Sequence, residues 1–483
     1  AEVNVIVEQV YMEDAAVASG TSTVTLNTSV DATLVRGDSN PEMLVVGADN
    51  STLILGDESA KIESDEDGNL TRLDNLPTLT LDGQRDYVEE NGLKSGALVY
   101  AQGYDFEMYS NVVVKDNINN TTGYGGGVFI NSLNVGNRTN GEVDITGGGQ
   151  VMNCEADYDG GGVCVVWSAM TNNLSFNVSG CSARNGGGLA IIEDIEDNAA
   201  AVDAVTKLYG GDKYVKPAAR YVVDGAVDAT LSNSTYSGNS VSTYGGGAYY
   251  RTTWGNARLT LGSNCFIYSN SATYGGGVAA RDNDTDSDGG VDVRISYGFV
   301  GTNSTYDNLG NSADYNGGGV YCRGSIHMTG GQVRFNSAGS YGGGLYRTNS
   351  TNNNGDDGYG YGVGSRTGGT LGGNTASTGQ NTYGFGSASY RFYYRTSSYG
   401  STYSSRTVYY YDYPSVPTAT TLSAYNFYGW ASSRGATATV STSSVNTSTS
   451  GTVYRYAVYS KSITVYYDGT STTLTTRFSY NDT

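Results

Sequence analysis

The 483-residue sequence predicts an all-β protein made of stacked coils, followed by a Tyr-rich β module. Three observations support this prediction: a recurring glycine triplet, an asparagine-containing segment ahead of several triplets, and short strands that alternate apolar and polar residues. The composition agrees, because Val, Thr, Tyr and Ser abound, 69 residues are Gly, and long helix-forming runs are scarce.

The glycine triplet marks one corner of each predicted coil. The shortest spacings between triplets are 25 and 26 residues, and the longer spacings indicate loop insertions into the same coil. Glycine suits a tight corner because it accepts positive φ and lets backbones approach closely. The seven triplets are Gly125–Gly127, Gly160–Gly162, Gly186–Gly188, Gly245–Gly247, Gly275–Gly277, Gly317–Gly319 and Gly342–Gly344.

The asparagine segment appears as Asn270–Tyr274, Asn311–Tyr315 and Asn336–Tyr341. In coils stacked at ~4.8 Å, superposed Asn side chains would form a hydrogen-bonded ladder and superposed Tyr rings would stack. The pattern predicts a right-handed parallel β-helix over residues 101–388, with a helical insertion at residues 192–224. Residues 1–100 carry short strands but no triplet, which indicates an N-terminal cap and early coils.

Residues 389–483 contain 17 Tyr and no triplet. The segment Ile463–Phe478 predicts a hairpin that turns at Asp468 and Gly469. We expect a Tyr-, Thr- and Ser-rich antiparallel module resembling a β-sandwich. Two interpretations of its tyrosines stay open: they cover a shallow core, or they form a self-association surface.

The net charge of −20 makes nucleic acid and anionic membranes poor partners. No apolar run reaches the ~20 residues of a membrane helix, so we expect no membrane insertion.

The five cysteines include no Cys-x-x-Cys pair, which argues against a zinc site. Two disulfide pairings stay open, Cys154–Cys181 and Cys164–Cys181, and the odd count leaves at least one thiol without an intrachain partner.

The segment Gly317–Leu345 resembles the repeats of bacterial right-handed β-helix surface proteins. These large adhesin-like proteins occur in Gram-positive gut bacteria and methanogenic archaea, and are distantly similar to chlamydial polymorphic outer-membrane proteins. The segments Leu79–Gln84 and Ser95–Tyr100 are similar to the lead-in of their first glycine-triplet coil. The resemblance covers roughly residues 20–388, and it implies a secreted or cell-surface location and an adhesin-like role.

One acidic loop is a candidate calcium site. Its carboxylates at alternate positions, with Gly289 for a sharp turn, match the first half of a calcium-binding loop. Ile295 stands where a bidentate Glu would complete an EF-hand, so a solvated acidic insertion is the alternative. No other cofactor is expected. The candidate ligands are Asp284, Asp286, Asp288 and Asp292.

The sequence predicts a non-enzymatic extracellular protein that forms a surface rod, either as a monomer or as the subunit of a filament, sheath or surface layer. Its expected partners are further copies, neighbouring surface proteins or glycans. The alternative is a β-helix polysaccharide lyase or glycoside hydrolase, which would need acid–base and cationic residues on one face of consecutive coils. Charged residues fall mainly in the insertions, and the single His327 lies in an ordinary repeat strand, so we expect no catalytic residue.

Asn-x-Ser/Thr sequons are frequent, and would carry glycans on an exposed surface in a source with N-glycosylation. The candidates are Asn120, Asn137, Asn173, Asn177, Asn233, Asn303 and Asn349.

Overall fold

The computed structural model is all-β apart from one short helix in the residues that it describes. Those residues are 3–7, 10–12, 22–38, 43–46, 51–60, 62–64, 70–72, 75–102, 105–131, 148–166, 173–192, 228–252, 257–282, 291–302, 309–348, 363–393, 402–409, 425–440 and 451–479. The chain divides into two compact units, Ala1–Asn381 and Thr382–Thr483. The predicted boundary after residue 388 therefore falls inside a strand of the second unit, Ser387–Tyr393.

The first unit consists mainly of long parallel sheets. Sheet A has eleven strands: Val3–Val7, Ala32–Arg36, Leu79–Asp82, Val112–Lys115, Gln150–Met152, Asn177–Ser179, Ser234–Ser237, Cys265–Tyr268, Phe299–Gly301, Gln332–Arg334 and Thr370–Gly372. Sheet C has seven strands: Ile118–Asn119, Glu155–Ala156, Ser182–Asn185, Ser240–Tyr244, Ser271–Tyr274, Ser312–Asn316 and Ser337–Ala338. Sheet D has three: Ser22–Leu26, Ser51–Leu55 and Asp105–Met108.

Sheet B contains two parallel ladders that share the long strand Val320–Met328. Ladder B1 also contains Val10–Met12, Leu44–Val46, Val99–Gln102, Val128–Asn131, Val163–Val166, Leu189–Ile192, Ala248–Thr252, Val278–Asp282 and Leu345–Thr348. Ladder B2 also contains Asn173–Leu174, Asp228–Leu231, Arg258–Leu261, Val291–Ile295 and Gly364–Arg366. An antiparallel hairpin, Ile62–Ser64 with Leu70–Arg72, lies outside these sheets.

From Val163–Val166 onward, the repeats contribute strands to ladders B1 and B2, sheet A and sheet C in a fixed order. After the sheet C strand Ser182–Asn185 comes a triplet, then Leu189–Ile192 in B1, Asp228–Leu231 in B2, Ser234–Ser237 in sheet A and Ser240–Tyr244 back in sheet C. Neighbours in a ladder are therefore one repeat apart in sequence. Long parallel sheets with this order are consistent with a β-helix or solenoid.

Several early strands join the same ladders as the later repeats, while Ser22–Leu26 and Ser51–Leu55 belong to sheet D. Val3–Val7 pairs with Ala32–Arg36, which pairs with Leu79–Asp82, all in parallel. The predicted early strands are thus confirmed.

The helix Arg85–Asn91 was not predicted. It begins after Gln84, which has φ 51° and makes no side-chain cap. It ends at Gly92, whose N–H donates to the Val88 and Glu89 carbonyls. The predicted helical insertion at residues 192–224 lies outside the described residues, except for residue 192.

An apolar column runs through sheet A and is buried from Leu81 onward, because successive strands place one aliphatic or aromatic side chain directly over the last. Burying one such side chain contributes ~1.5–3 kcal/mol, and a repeat buries it only when its neighbours are present. In register order the column is Leu34, Leu81, Val114, Val151, Val178, Tyr236, Ile267, Val300, Val333 and Leu371.

The triplets form stacked corners, as predicted. The first glycine of every triplet has positive φ, between 61° and 73°. At the second position the backbones are in close contact: a Cβ at Gly161 would lie 2.3 Å from the Ser182 carbonyl oxygen and 2.6 Å from that of Gly187. The glycines are therefore required both for backbone conformation and for the spacing between repeats.

The second unit contains one five-stranded sheet in its described residues: Ser387–Tyr393, Thr402–Tyr409, Asn426–Ala431, Gly451–Tyr467 and Thr470–Ser479. A short strand, Thr382–Tyr383, precedes it. The prediction of a wholly antiparallel module is wrong at one pairing, because Ser387–Tyr393 and Gly451–Tyr467 run parallel. A short hairpin turn forces the two strands that it joins to run antiparallel. These two strands are joined by a long connection instead, which allows them to run parallel. Tyr390, Phe392 and Trp430 form part of the buried core.

Candidate functional site

The asparagine ladder is confirmed at the start of the sheet C strands. Asn239, Asn270, Asn311, Asn336 and Asn374 are buried. Each donates from Nδ2 to the Oδ1 of the next Asn, at 2.9 or 3.0 Å, and the last donates to Asn381 at 3.0 Å. Each side chain thereby satisfies buried backbone groups as well, since the second Nδ2 hydrogen goes to a carbonyl such as Ile267 O, 2.8 Å from Asn311.

Cys154 and Cys181 occupy the equivalent ladder positions in two earlier repeats. The Cys154 N–H donates to Cys181 Sγ at 3.3 Å, where the later repeats have an N–H donating to an Asn oxygen. All five cysteines are free thiols and buried, so neither predicted disulfide is present. Cys164 lies instead in ladder B1, in register with Phe129 and Ala190. Burial raises the pKa of the Cys154 and Cys164 thiols.

A tyrosine column covers the corner between sheet C and ladder B1, which confirms the predicted stacking. The Tyr244 and Tyr274 ring centroids lie 5.2 Å apart, and those of Tyr274 and Tyr315 lie 5.7 Å apart. Tyr321 packs against this column and is buried, which raises the pKa of its hydroxyl. The tyrosine rings cover the outer face of ladder B1. The side chains on that face are therefore buried and form a second hydrophobic core.

Ladder B2 carries a cluster of charged side chains on its outer face. Leu259, Leu261, Val293 and Ile295 are buried, so the residues that alternate with them face outward. In register, Arg258 lies between Asp228 and Asp292, and the next column contains Arg294, His327 and Ser365. This arrangement corrects the expectation that charges do not recur on one face.

Asp292 is the centre of this cluster. Its Oδ2 accepts from Arg258 Nε at 3.2 Å and from Arg294 Nε at 2.8 Å, while its Oδ1 lies 3.6 Å from His327 Nε2. Arg258 also pairs with Asp228 at 3.3 Å. The charges of opposite sign are therefore already in contact, which is the arrangement of a stabilising ion-pair network.

The His327 ring connects Asp292 to a hydroxyl group. Its Nδ1 lies 2.7 Å from Ser365 Oγ, within hydrogen-bond distance. On the other side, 3.6 Å from Nε2 to Asp292 Oδ1 is longer than a hydrogen bond. The three residue types match those of a nucleophilic triad, but Asp292 is held by two guanidinium groups and does not orient the imidazole closely. The sequence could not reveal this juxtaposition, because insertions of unequal length separate the strands.

The predicted calcium ligands fall into two groups. Asp284, Asp286 and Asp288 lie outside the described residues. Asp292 belongs to the ion-pair network above. Within the described ranges, no group of three or more His, Cys, Asp or Glu side chains could hold a metal ion. The calcium site stays a prediction that concerns the acidic loop.

The sequons differ in accessibility. Asn233 is exposed, and its Oδ1 accepts only from the exposed Asn264 amide among the hydrogen bonds described. Asn177 is buried and donates to Gly148 O at 2.7 Å, which argues against a glycan there in the folded chain. Asn120 is part-buried, and both its amide atoms are hydrogen-bonded. Asn137, Asn303 and Asn349 lie outside the described residues, and the side chain of Asn173 is not described.

The predicted hairpin at Asp468 and Gly469 is confirmed, and it extends beyond the rest of the five-stranded sheet. Both turn residues have positive φ, 48° and 74°. The segments 461–467 and 470–477, which we call the ribbon, pair only with each other in the described structure, and all their side chains are exposed. A two-stranded ribbon exposed on both sides gains little stability in water by itself.

The two faces of the ribbon differ in chemistry. One face carries hydroxyl pairs, with Ser462 Oγ 2.8 Å from Thr475 Oγ1. The other face is apolar: Ile463 lies opposite Leu474, and Val465 and Tyr467 lie on the same side. These four side chains are 52%, 59%, 45% and 81% exposed. Among the described residues of the second unit, the apolar face groups several exposed apolar side chains on one side of the ribbon, and it is the candidate binding surface.

No protein-family model matches this chain, and no curated protein or solved structure is significantly similar to it. None of the helices in the described part of the chain has the length and apolar character to cross a membrane.

Proposed function

We propose that this protein is a non-enzymatic, extracellular, adhesin-like structural protein that forms a surface rod. In this proposal the first unit is a right-handed parallel β-helix, and the protein acts as a single rod or as the subunit of a filament, sheath or surface layer. Its partners are further copies, neighbouring surface proteins or glycans. The resemblance of Gly317–Leu345 to adhesin-like β-helix repeats supports the extracellular location.

The asparagine ladder is the observation that carries the proposal. Its hydrogen bonds link five consecutive repeats through buried side chains, so these repeats form one continuous hydrogen-bonded stack. Eleven strands in sheet A, at ~4.8 Å each, correspond to about 50 Å of stacked repeats. Most of the geometry that recurs from repeat to repeat thus serves stiffness, which a spacer or building block requires.

Electron microscopy of the purified full-length protein tests this proposal directly. We expect elongated particles, or filaments in which such particles are joined. Compact globular particles in which no axis is extended would contradict the proposal.

Equilibrium dialysis with calcium tests the acidic loop separately. We expect calcium binding that Asp286→Ala removes, whereas Asp228→Asn should leave calcium binding unchanged.

A polysaccharide-cleaving enzyme is the second candidate, and the cluster around Asp292 favours it. Carboxylate, imidazole and guanidinium groups lie together on one outward face, as cleavage of an acidic polysaccharide requires. A cleavage assay on acidic polysaccharides, with and without calcium, distinguishes the candidates. Turnover that Asp292→Asn or His327→Ala abolishes, and that Ser462→Ala leaves intact, would overturn the structural proposal.

A further inference from the structure

The ribbon has an apolar face that its own sheet does not cover. In most antiparallel sheets one face is solvated and the other packs on a core. Here the core of the second unit contacts the sheet elsewhere, through Tyr390, Trp430 and Tyr459, while Ile463 and Leu474 remain more than half exposed. Isoleucine, valine and leucine on a solvated ribbon contribute little to the stability of the free chain, so they indicate a contact made with another molecule.

Charge identifies the kind of partner. The second unit contains seven Arg and Lys residues and three Asp, a net charge of +4, in a chain whose total is −20. The first unit therefore carries −24. At the base of the ribbon, Lys461 lies on the same side as the apolar face, with its Nζ 5.6 Å above the Tyr425 ring. Arg477 lies on the opposite side, 3.9 Å above the Tyr428 ring. An apolar face with a lysine at its base, in a unit of net positive charge, fits an acidic surface.

We propose that the apolar face of the ribbon docks onto the acidic first unit of a second copy of this chain. This inference rests on the proposed function and names its partner. A ribbon-to-ribbon dimer would bring together two second units of the same charge, whereas docking on a first unit joins opposite charges. The contact is heterologous, because it joins two different surfaces, so each copy retains a free ribbon and a free first unit. Repetition of this contact produces a chain of copies.

The test is analytical ultracentrifugation of the full-length protein over a range of concentrations and salt. We expect association that increases with concentration and weakens as NaCl rises from about 50 to 500 mM, because the screening length falls. Replacing Ile463→Thr and Leu474→Thr together keeps residues that favour strands and removes the apolar contact. This variant should associate at least about tenfold more weakly. The matched control, Thr464→Ser with Thr473→Ser, changes the hydroxyl face and should associate like the unmodified protein.

A second variant, Lys461→Glu with Arg477→Glu, tests the charge argument without altering the apolar face. It should also weaken association, and circular dichroism should show unchanged strand content in all variants. An unmodified protein that stays monomeric throughout, or apolar-face and charge variants that associate as it does, would overturn the docking surface. Monomeric elongated particles that cleave no polysaccharide would refute this inference while the proposed structural role stands.

Discussion

Asn311 is the position at which the asparagine ladder is most directly tested. It is fully buried, accepts the Asn270 N–H at 3.1 Å and Nδ2 at 2.9 Å, and donates to Ile267 O and Asn336 Oδ1. In Asn311→Ala, the Asn270 N–H and Nδ2 groups lose their shared acceptor, and the Ile267 carbonyl loses its side-chain donor. An unsatisfied buried polar group costs ~1–3 kcal/mol, and water entering the vacated space recovers part of that, so we expect a loss of about 3–5 kcal/mol.

The chain itself offers a graded comparison. Cysteine takes the ladder position at Cys154 and Cys181, where a sulfur accepts the preceding N–H. Asn311→Cys should therefore destabilise less than Asn311→Ala. Ser312→Ala, at the exposed neighbouring position, should change stability by no more than ~0.5 kcal/mol.

Urea denaturation followed by circular dichroism measures the overall effect, and hydrogen exchange of peptides from residues 257–345 localises it. Exchange is needed because repeat arrays and two-unit chains need not unfold in one step. Asn311→Ala should increase exchange in the flanking sheet C strands. Equal stability of Asn311→Ala and Ser312→Ala would refute the view that the ladder holds the repeats together.

Three further predictions concern packing, thiols and charge. Gly161→Ala should destabilise the protein by more than ~3 kcal/mol in urea, since its Cβ would overlap two carbonyl oxygens, whereas Gly372→Ala, with no atom within 4 Å of its Cβ, should be near neutral. Burial raises the pKa of Cys265 from 9.0 to about 12, so stability should be intact below pH 9 and fall as the pH rises toward 12. Unchanged stability on that titration, or reaction of the native thiols with a disulfide reagent at pH 8, would contradict this burial. Asp292→Asn should cost about 1 kcal/mol at low salt and less at high salt, and a cost independent of salt would argue against an ion-pair role.

The sequence predicted features that depend on residues close together in the chain. The triplets, the Asn segments and the turn at Asp468 are each encoded within a few residues, because positive φ and ladder hydrogen bonds have strong local preferences. The early strands were predictable for the same reason, since Leu79 and Leu81 alternate with polar residues.

Features that depend on register between distant segments were not predictable. Arg258 and Asp292 are 34 residues apart, and His327 follows 35 residues later, so nothing in the local sequence indicates that they form one cluster. The helix at Arg85–Asn91 has no side-chain cap at Gln84, and its start signal is therefore absent from the sequence. The parallel pairing of Ser387–Tyr393 likewise depends on where a long connection returns.

The asparagine ladder has a direction. Along the ladder, every Asn accepts at Oδ1 from the ladder residue before it and donates one Nδ2 hydrogen to the ladder residue after it, so all the side-chain amides point the same way along the stack. Any such repeat can follow any other, because its acceptor and donor sides match those of every neighbour. A gene encoding this chain could therefore gain or lose whole repeats by duplication or deletion without creating an unsatisfied amide, and length becomes a property that evolution can adjust one repeat at a time.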